Sequence, residues 1–351
     1  MSTPQIDVII AVHDPARPVA RAVSAVRAGA EDLVRVSVVV HNTDPAPIAE
    51  AVAGIPDVRI LSCMDSIPSP SGPMNAGLDA ADAPWVSVIG SDDTVEHGAY
   101  ARWLALASHR GADVILPRVR FSAGGVVPTP PTRPFRTRDL DGVRDRLSYR
   151  AAPLGLLSRQ RVGSLRFPPG LRTGEDIPFT ADLWFSGARI SYAASAPSYV
   201  VHDDASSRVT RTARPLADEF AWLIPLERDV APRATAAQRR ALGAKLLRIN
   251  LFGAVWLRRG QWTPDERTSL ADIAGRLQEY GAGVHRSLAR HDQHLLALSR
   301  DPHAPDAELD AAADRRRRFL SPGGLIPRAP GRALDREAPL RVGIATALRR
   351  F

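Results

Sequence analysis

Four short apolar runs, separated by stretches of helical spacing, fill the first quarter of the chain. They are 6–12 (IDVIIAV), 34–40 (VRVSVVV), 58–61 (VRIL) and 86–90 (VSVIG). Runs this short and this rich in Val and Ile read as buried parallel strands. Between them, Val19, Val23 and Val26 mark one helix, Ile48 to Ala53 a second, and Asn75 to Ala81 a third. A further helix over 98–109, a strand at 114–116 and short strands near 154–158 and 190–194 continue the pattern. Strands alternating with helices at this pitch predict an α/β fold with a doubly wound, mostly parallel sheet flanked by helices.

The fourth run leads straight into Gly90-Ser91-Asp92-Asp93-Thr94. Two adjacent carboxylates repel unless a cation or a metal-bound phosphate lies between them. In an open α/β sheet the C-terminal ends of the strands are where ligands bind. Asp92 and Asp93 therefore point to a metal-diphosphate site; the bland alternative is a turn or a helix N-cap. After the first strand the chain reads His13-Asp14-Pro15-Ala16-Arg17-Pro18. It lacks the glycine-rich turn of a dinucleotide domain, and the chain has no P-loop. His13 and Asp14 are candidates to hold a base and ribose through side-chain hydrogen bonds, with an ordinary Asp-capped turn as the alternative.

From about residue 213 the spacing turns wholly helical. Thr263-Pro264-Asp265-Glu266 has the N-cap, first-turn Pro and N3 Glu of a helix start. A helix over 236–259 places Leu242, Leu246, Ile249, Phe252 and Trp256 on one side, and Arg239, Arg240, Lys245, Arg248, Arg258 and Arg259 on the other. Its basic side reads as a solvated face, or as a face that meets a membrane or an anionic acceptor. Residues 122–138, rich in Pro, Gly and Arg, read as a long surface loop. The expected organisation is a domain over 1–212, an all-helical domain over 213–320 and a poorly ordered tail over 321–351.

Composition narrows the classes. The 351 residues are 44% hydrophobic and 24% charged, as in ordinary globular proteins. No apolar run reaches the ~18 residues of a membrane span, and the N-terminus lacks signal-peptide features, so the expected location is cytoplasmic. The single cysteine, Cys63, excludes an intrachain disulfide and a multi-Cys zinc site. The net charge of +8 rests almost wholly on arginine, Lys245 being the one lysine. A basic chain favours polyanionic partners. Without a zinc-finger, helix-turn-helix or RNA-binding motif, nucleic acid is not among those expected.

The segment 69–94 (SPSGPMNAGLDAADAPWVSVIGSDDT) resembles the inverting family 2 glycosyltransferases of the GT-A fold, with their Asn-Ala-Gly helix start and acidic strand exit. Val12-His13-Asp14 is similar to the opening motif of that family, and Gly174-Glu175-Asp176-Ile177-Pro178-Phe179 to its Glu-Asp-x-x-Phe motif. The three motifs fall in the family's order within residues 5–212. The resemblance implies roles. Asp92 and Asp93 would bind a divalent metal, Mn2+ or Mg2+, and the nucleoside diphosphate. Asp176 would be the catalytic base, with Glu175 beside it. His13, Asp14 and Asn75 would lie in the donor site. His202 would be a third metal ligand or a phosphate contact, and Arg208 and Arg211 would neutralise leaving-group charge.

Three positions depart from the pattern: Gly90 where an Asp is usual, Met74 before Asn-Ala-Gly, and His41-Asn42-Thr43-Asp44 after the second strand, where Asn42 or Asp44 would substitute for an acidic base-reading residue. The expected activity is metal-dependent inverting transfer of a sugar from a nucleoside-diphosphate sugar, a UDP-sugar first, to a hydroxyl of a cell-surface glycan, teichoic-type polymer or lipid-linked acceptor. The helical domain would serve acceptor binding, peripheral membrane contact or homo-oligomer formation. Two other readings stay open: a non-catalytic GT-A-like nucleotide- or glycan-binding protein, and a sugar nucleotidyltransferase, which would want a Gly-rich loop after the first strand.

Overall fold

In the computed structural model, residues 3–204 and 214–348 are described. The chain forms two compact units. One comprises 1–127, 135–141 and 150–212; the other comprises 128–134, 142–149 and 213–351.

The first unit opens with β1 (Ile6–Val12), α1 (Val19–Arg27), β2 (Val34–His41), α2 (Ala46–Val52), β3 (Val58–Cys63), α3 (Ser71–Ala80) and β4 (Trp85–Gly90). It continues with β5 (Thr94–Val95), α4 (Ala99–Arg110), β6 (Val114–Pro117), β7 (Val119–Phe121), β8 (Leu156–Ser158), α5 (Arg159–Val162), α6 (Asp176–Phe185), β9 (Ile190–Ala193) and β10 (Tyr199–Val201). The main sheet has seven strands in the order β3-β2-β1-β4-β8-β6-β9, with β8 alone antiparallel to its neighbours. A small sheet, β5-β10-β7, stands beside it. The expected doubly wound, mostly parallel α/β fold is what forms. Ile6, Val8, Ile9 and Ile10 of β1 are wholly buried because the strand has a neighbour on each edge and packing on both faces.

Two local devices position the upper edge of the sheet. Gly77 lets α3 lie directly on β1, since a Cβ there would sit 2.4 Å from Ile9 Cγ2. Asp7, fully buried near the lower end of β1, accepts both arms of Arg35 at 2.7 and 2.9 Å and the N–H groups of Asp82 and Ala83 at 2.8 and 2.9 Å. One carboxylate thus ties β1, β2 and the α3–β4 turn together at the edge remote from the Asp92-Asp93 exit.

The second unit contains α7 (Leu216–Glu219), α8 (Leu223–Pro225), α9 (Ala236–Lys245), α10 (Phe252–Leu257), α11 (Pro264–Tyr280), α12 (Arg290–Arg300), α13 (Asp306–Arg316), α14 (Pro322–Leu325) and α15 (Pro339–Ala347). Thr263 Oγ1 caps α11 by accepting the Glu266 N–H at 3.3 Å, as the motif there predicts.

Several expectations change. Helix α3 begins at Ser71, earlier than expected, with Pro73 in the first turn where its missing N–H breaks no helical bond. The 122–138 segment is not a simple surface loop: Pro130, Pro131 and Thr132 are buried, and 128–134 belongs to the second unit. The stretch expected to be a poorly ordered tail carries α14 and α15, with Glu337, Ala338 and Ala345 buried. The helix over 236–259 has no continuous solvated basic face. Residues 241–248 are buried on every side, including Lys245 and Arg248. A π-type turn over Leu246–Leu251 breaks the 3.6-residue period and leaves Ile249 55% exposed. Buried charge requires partners. Arg248 has the Tyr149 hydroxyl at 3.0 Å, the Glu337 carbonyl, and Asp292 at 3.8 Å. Among the described residues, no helix is long and apolar enough to cross a membrane.

Candidate functional site

The C-terminal ends of β1, β2, β3 and β4 lie side by side, as the parallel order β3-β2-β1-β4 requires. Four groups of expected site residues fall on this edge or next to it.

Asp92 and Asp93 follow β4 directly. Arg17, just ahead of α1, reaches the Asp92 carboxylate at 2.6 Å, and Arg21, one helical turn on, donates to the Asp92 carbonyl at 2.6 Å. Arg21 also forms a two-pronged pair with Asp204 at 2.5 and 3.0 Å. Asp93 is held from the small sheet. The buried Tyr199 hydroxyl donates to its Oδ2 at 2.6 Å, and the His202 main-chain N–H donates to its Oδ1 at 3.1 Å. The Gly90 N–H in turn donates to the Tyr199 oxygen at 3.1 Å. Burial, with the Asp92 charge adding, pushes the Asp93 carboxyl above its usual range, against those two donors.

Gly90 explains itself here. A Cβ at this position would lie 2.9 Å from Asp93 Oδ2 and 3.2 Å from Asp92 Oδ1, so oxygens of both carboxylates converge over a bare backbone. Two carboxylate oxygens on one small cradle are the donor chemistry of a hard divalent cation. The expected third ligand, His202, has Nε2 at 2.8 Å from Thr94 Oγ1, next to Asp93 but engaged elsewhere.

His13 is exposed and Asp14 half-buried at the end of β1. Burial and the nearby Arg17 push the His13 imidazole below its usual range. Asp14 Oδ1 accepts the Ala16 N–H at 2.9 Å, so this carboxylate also closes the turn.

At the ends of β2 and β3, Asn42 adopts a left-handed backbone, φ 52°, which Asn tolerates better than most residues. Its side-chain oxygen accepts the Asp65 N–H at 2.8 Å and its amide donates to the Asp65 carbonyl at 3.1 Å. Asn42 thus clamps the two strand ends, and it is Asp65 that presents a carboxylate there. His41 Nε2 stands 3.1 Å from Asp65 Oδ2 and the Cys63 thiol 3.8 Å from the same oxygen. Among the described residues, these three form the group of possible metal ligands whose donor atoms lie within 4.8 Å of one another. Burial and the Asp65 carboxylate push the Cys63 thiol up, which favours its role as a donor to Asp65.

Asn75 bonds the main chain of Phe167. Its amide donates to the Phe167 carbonyl at 2.9 Å and its oxygen accepts the Phe167 N–H at 2.9 Å. Phe167 stacks on Phe179 of α6, centroids 4.1 Å apart and planes within 4°. The first residue of α6 is Asp176, preceded by Glu175. Asn75 therefore sets the helix that carries the acid pair. Burial, with the Asp176 charge adding, pushes the Glu175 carboxyl up to about 7. Asp44 Oδ1 accepts the Ala46 N–H at 3.0 Å, a helix-start role. Arg208 and Arg211 lie outside the described residues.

Sequence reasoning passed over Arg17, Arg21 and Asp65, and the contact of Tyr199 with Asp93. Arg17 and Arg21 carried a readable signal, two basic residues a helical turn apart beside the first strand's exit. The Tyr199–Asp93 contact carried none, because the two residues are 106 positions apart.

No family model matches the sequence. Among curated proteins, the succinoglycan biosynthesis protein ExoO of Rhizobium meliloti is 30% identical over 232 residues, 59% of this chain and 64% of that protein. The chain thus spans less than two thirds of this relative's length. Among solved structures, S. aureus TarS 1-349 in complex with UDP-GlcNAc superposes with a TM-score of 0.71 at 18% identity, covering 90% of this chain and 92% of that one. The same TarS segment in complex with UDP gives 0.69 at 18% identity, with the same coverage. These likenesses establish a shared fold, the GT-A-type sheet with a helical region after it.

Proposed function

We propose that the chain is an inverting glycosyltransferase of the family 2 type that uses a nucleoside-diphosphate sugar, with a UDP-sugar as donor. One observation carries this reading: two carboxylates converge over Gly90 at the C-terminal edge of β4, beside the C-terminal ends of β1, β2 and β3. The succinoglycan role in the name of the Rhizobium protein and the UDP-GlcNAc and UDP in the TarS complexes agree with it.

Asp92 and Asp93 would hold a Mn2+ or Mg2+ ion, which supplies positive charge to the departing diphosphate when bound. Arg17 and Arg21 add a second source of that charge once Asp92 releases Arg17. Asp65, oriented by Asn42 and His41, takes the base-reading role expected of Asn42. His13 and Asp14 line the nucleoside side. At the reacting centre Asp176 accepts the proton of the acceptor hydroxyl while that oxygen attacks the anomeric carbon. The bond from that carbon to the diphosphate oxygen breaks, the electron pair leaves with the nucleoside diphosphate, and the configuration inverts. Glu175, carrying a proton near neutral pH, keeps a second negative charge away from the base. The acceptor is a glycan, teichoic-type polymer or lipid-linked saccharide.

Asp176→Asn tests the assignment. Turnover falls by about 10^3 or more with nucleotide affinity unchanged if Asp176 is the base; retained turnover removes it from that role. The Arg17–Asp92 pair favours one second reading, a nucleotide-binding relative without catalysis, since an internal arginine already neutralises Asp92. Such a protein would bind UDP without any dependence on metal.

A further inference from the structure

The second unit contains an arginine-lined cavity that the transferase chemistry does not use. Its volume is about 330 Å³, and Thr132, Arg133, Arg144, Arg146, Arg336 and Arg341 contribute to its walls. Among the described residues, no acidic side chain lines it. The size is at the lower end of small-ligand sites, about 300–1,000 Å³.

Five arginines contribute to one concave surface, and like charges gathered there favour an anion among them. Two nearby carboxylates offset part of that charge. Asp145, fully buried, pairs with Arg133 at 2.7 Å. Glu337, 5% exposed, lines a neighbouring cavity, and neither of its oxygens has a hydrogen-bond partner. Arg336 and Arg341 add positive charge to the same wall.

Arg146 is the strongest indication of a built site. It is 5% exposed, and its Nε has no hydrogen-bond partner. Its other nitrogens are fixed: Nη1 donates to the Pro131 carbonyl at 3.2 Å and Nη2 to the Arg336 carbonyl at 2.6 Å. Its backbone is left-handed, φ 49°, a strained conformation for an arginine that the surrounding structure must hold in place. Burial pushes its guanidinium below the usual range, Glu337 acts the other way, and Arg341 and Arg248 add repulsion. A buried arginine pinned by two main-chain carbonyls, at the wall of a cavity lined by four further arginines, fixes positive charge there, and such a wall favours an oxyanion.

We propose that this cavity is an oxyanion site that takes a phosphate group, either as free phosphate or as the phosphodiester of an anionic acceptor chain. The site itself stands independently of the donor site; its service as an acceptor anchor rests on the transferase reading. Arg336 is half-buried and Arg341 exposed, so both can be replaced with little risk to the fold.

The test uses the full chain and the double variant R336S/R341S. Binding of inorganic phosphate and of a short glycerol-phosphate oligomer is measured by calorimetry, against sodium chloride at matched ionic strength. UDP affinity is read in parallel. The expected result is saturable phosphate binding in the parent protein, weakened about tenfold or more in the variant, with UDP affinity equal in both. Tighter binding of the oligomer than of phosphate assigns the site to a polymer; equal binding assigns it to the free anion. The exposed single variant Arg144→Ser gives a smaller loss in the same direction. Phosphate binding that matches the chloride control, or that survives R336S/R341S unchanged, overturns the proposal. A failure of UDP to bind either protein bears on the donor site alone.

Discussion

Arg17 lies 2.6 Å from the Asp92 carboxylate and fills the place where a cation would otherwise balance that charge. The Arg17 side chain is only 10% exposed and that of Asp92 16%, so solvent screens the pair weakly. On the proposed transferase reading, the arginine that pairs with Asp92 would also meet the diphosphate of the donor. Arg17→Ala is therefore expected to weaken UDP binding about tenfold, the loss of one charge-assisted contact. It is also expected to strengthen the dependence on manganese, because Asp92 then lacks its internal partner. Calorimetric titration with and without metal checks both parts; UDP affinity unchanged in R17A would remove Arg17 from the donor site.

The Tyr199 hydroxyl links Asp93 to the Gly90 N–H, and all three lie at the β4 exit. Tyr199→Phe leaves a carboxylate oxygen and a main-chain N–H without that partner. A stability loss of about 1–3 kcal/mol follows from stranding such groups. Chemical denaturation measures it, and a loss near zero would show that water replaces the hydroxyl.

Asn75→Ala separates positioning from binding. Losing both hydrogen bonds to the Phe167 backbone loosens the stack of Phe167 on Phe179 of α6, the helix that Asp176 opens. The expected outcome is a fall in kcat with UDP affinity preserved. A rise in UDP Kd with kcat intact would place Asn75 in the donor site after all.

Glu175 gives a pH signature. Its carboxyl is raised from 4.5 to about 7, so the stability it contributes is full below pH 4.5 and lost as pH rises through about 7. Glu175→Gln should flatten the melting-temperature profile across that window and leave the variant more stable than the parent at pH 8. Parallel profiles would contradict the buried, protonated state.

Asp7 behaves oppositely. Burial opposes its charge, yet the Arg35 pair and the Ala83 and Asp82 N–H groups hold its carboxyl below 3.8. Its contribution is present above pH 3.8 and lost as pH falls through the depressed value. Asp7→Asn is expected to destabilise by about 3 kcal/mol at neutral pH, as removal of one partner from a buried pair does. The deficit should shrink on acidification, and UDP affinity should not change.

The sheet was legible because parallel strands buried on both faces must be apolar throughout, as β1, β2 and β4 are. Asp92-Asp93 and Glu175-Asp176 stood out because adjacent acids at element ends are locally unusual. The partners of these acids were not legible. Arg17 and Asp92 are 75 positions apart, and nothing local marks the register that joins them. The backbone partners of Asn42 and Asn75 were not legible, because an amide's chemistry is the same whether it meets a nucleotide or a backbone. Lys245 and Arg248 were placed in solvent because the periodicity of one helix does not reveal that other elements enclose it on all sides.

The central claim is that Asp92 and Asp93 form a metal-dependent nucleotide site, and thermal unfolding with UDP, GDP, dTDP and CDP, each with and without manganese, tests it most directly. Ligand at about 100 times its Kd adds about 2.7 kcal/mol, enough to raise Tm by several degrees. The predicted result is a shift with UDP that requires manganese and disappears in the double variant D92N/D93N. A UDP shift that is the same without metal, or that survives in D92N/D93N, would contradict it.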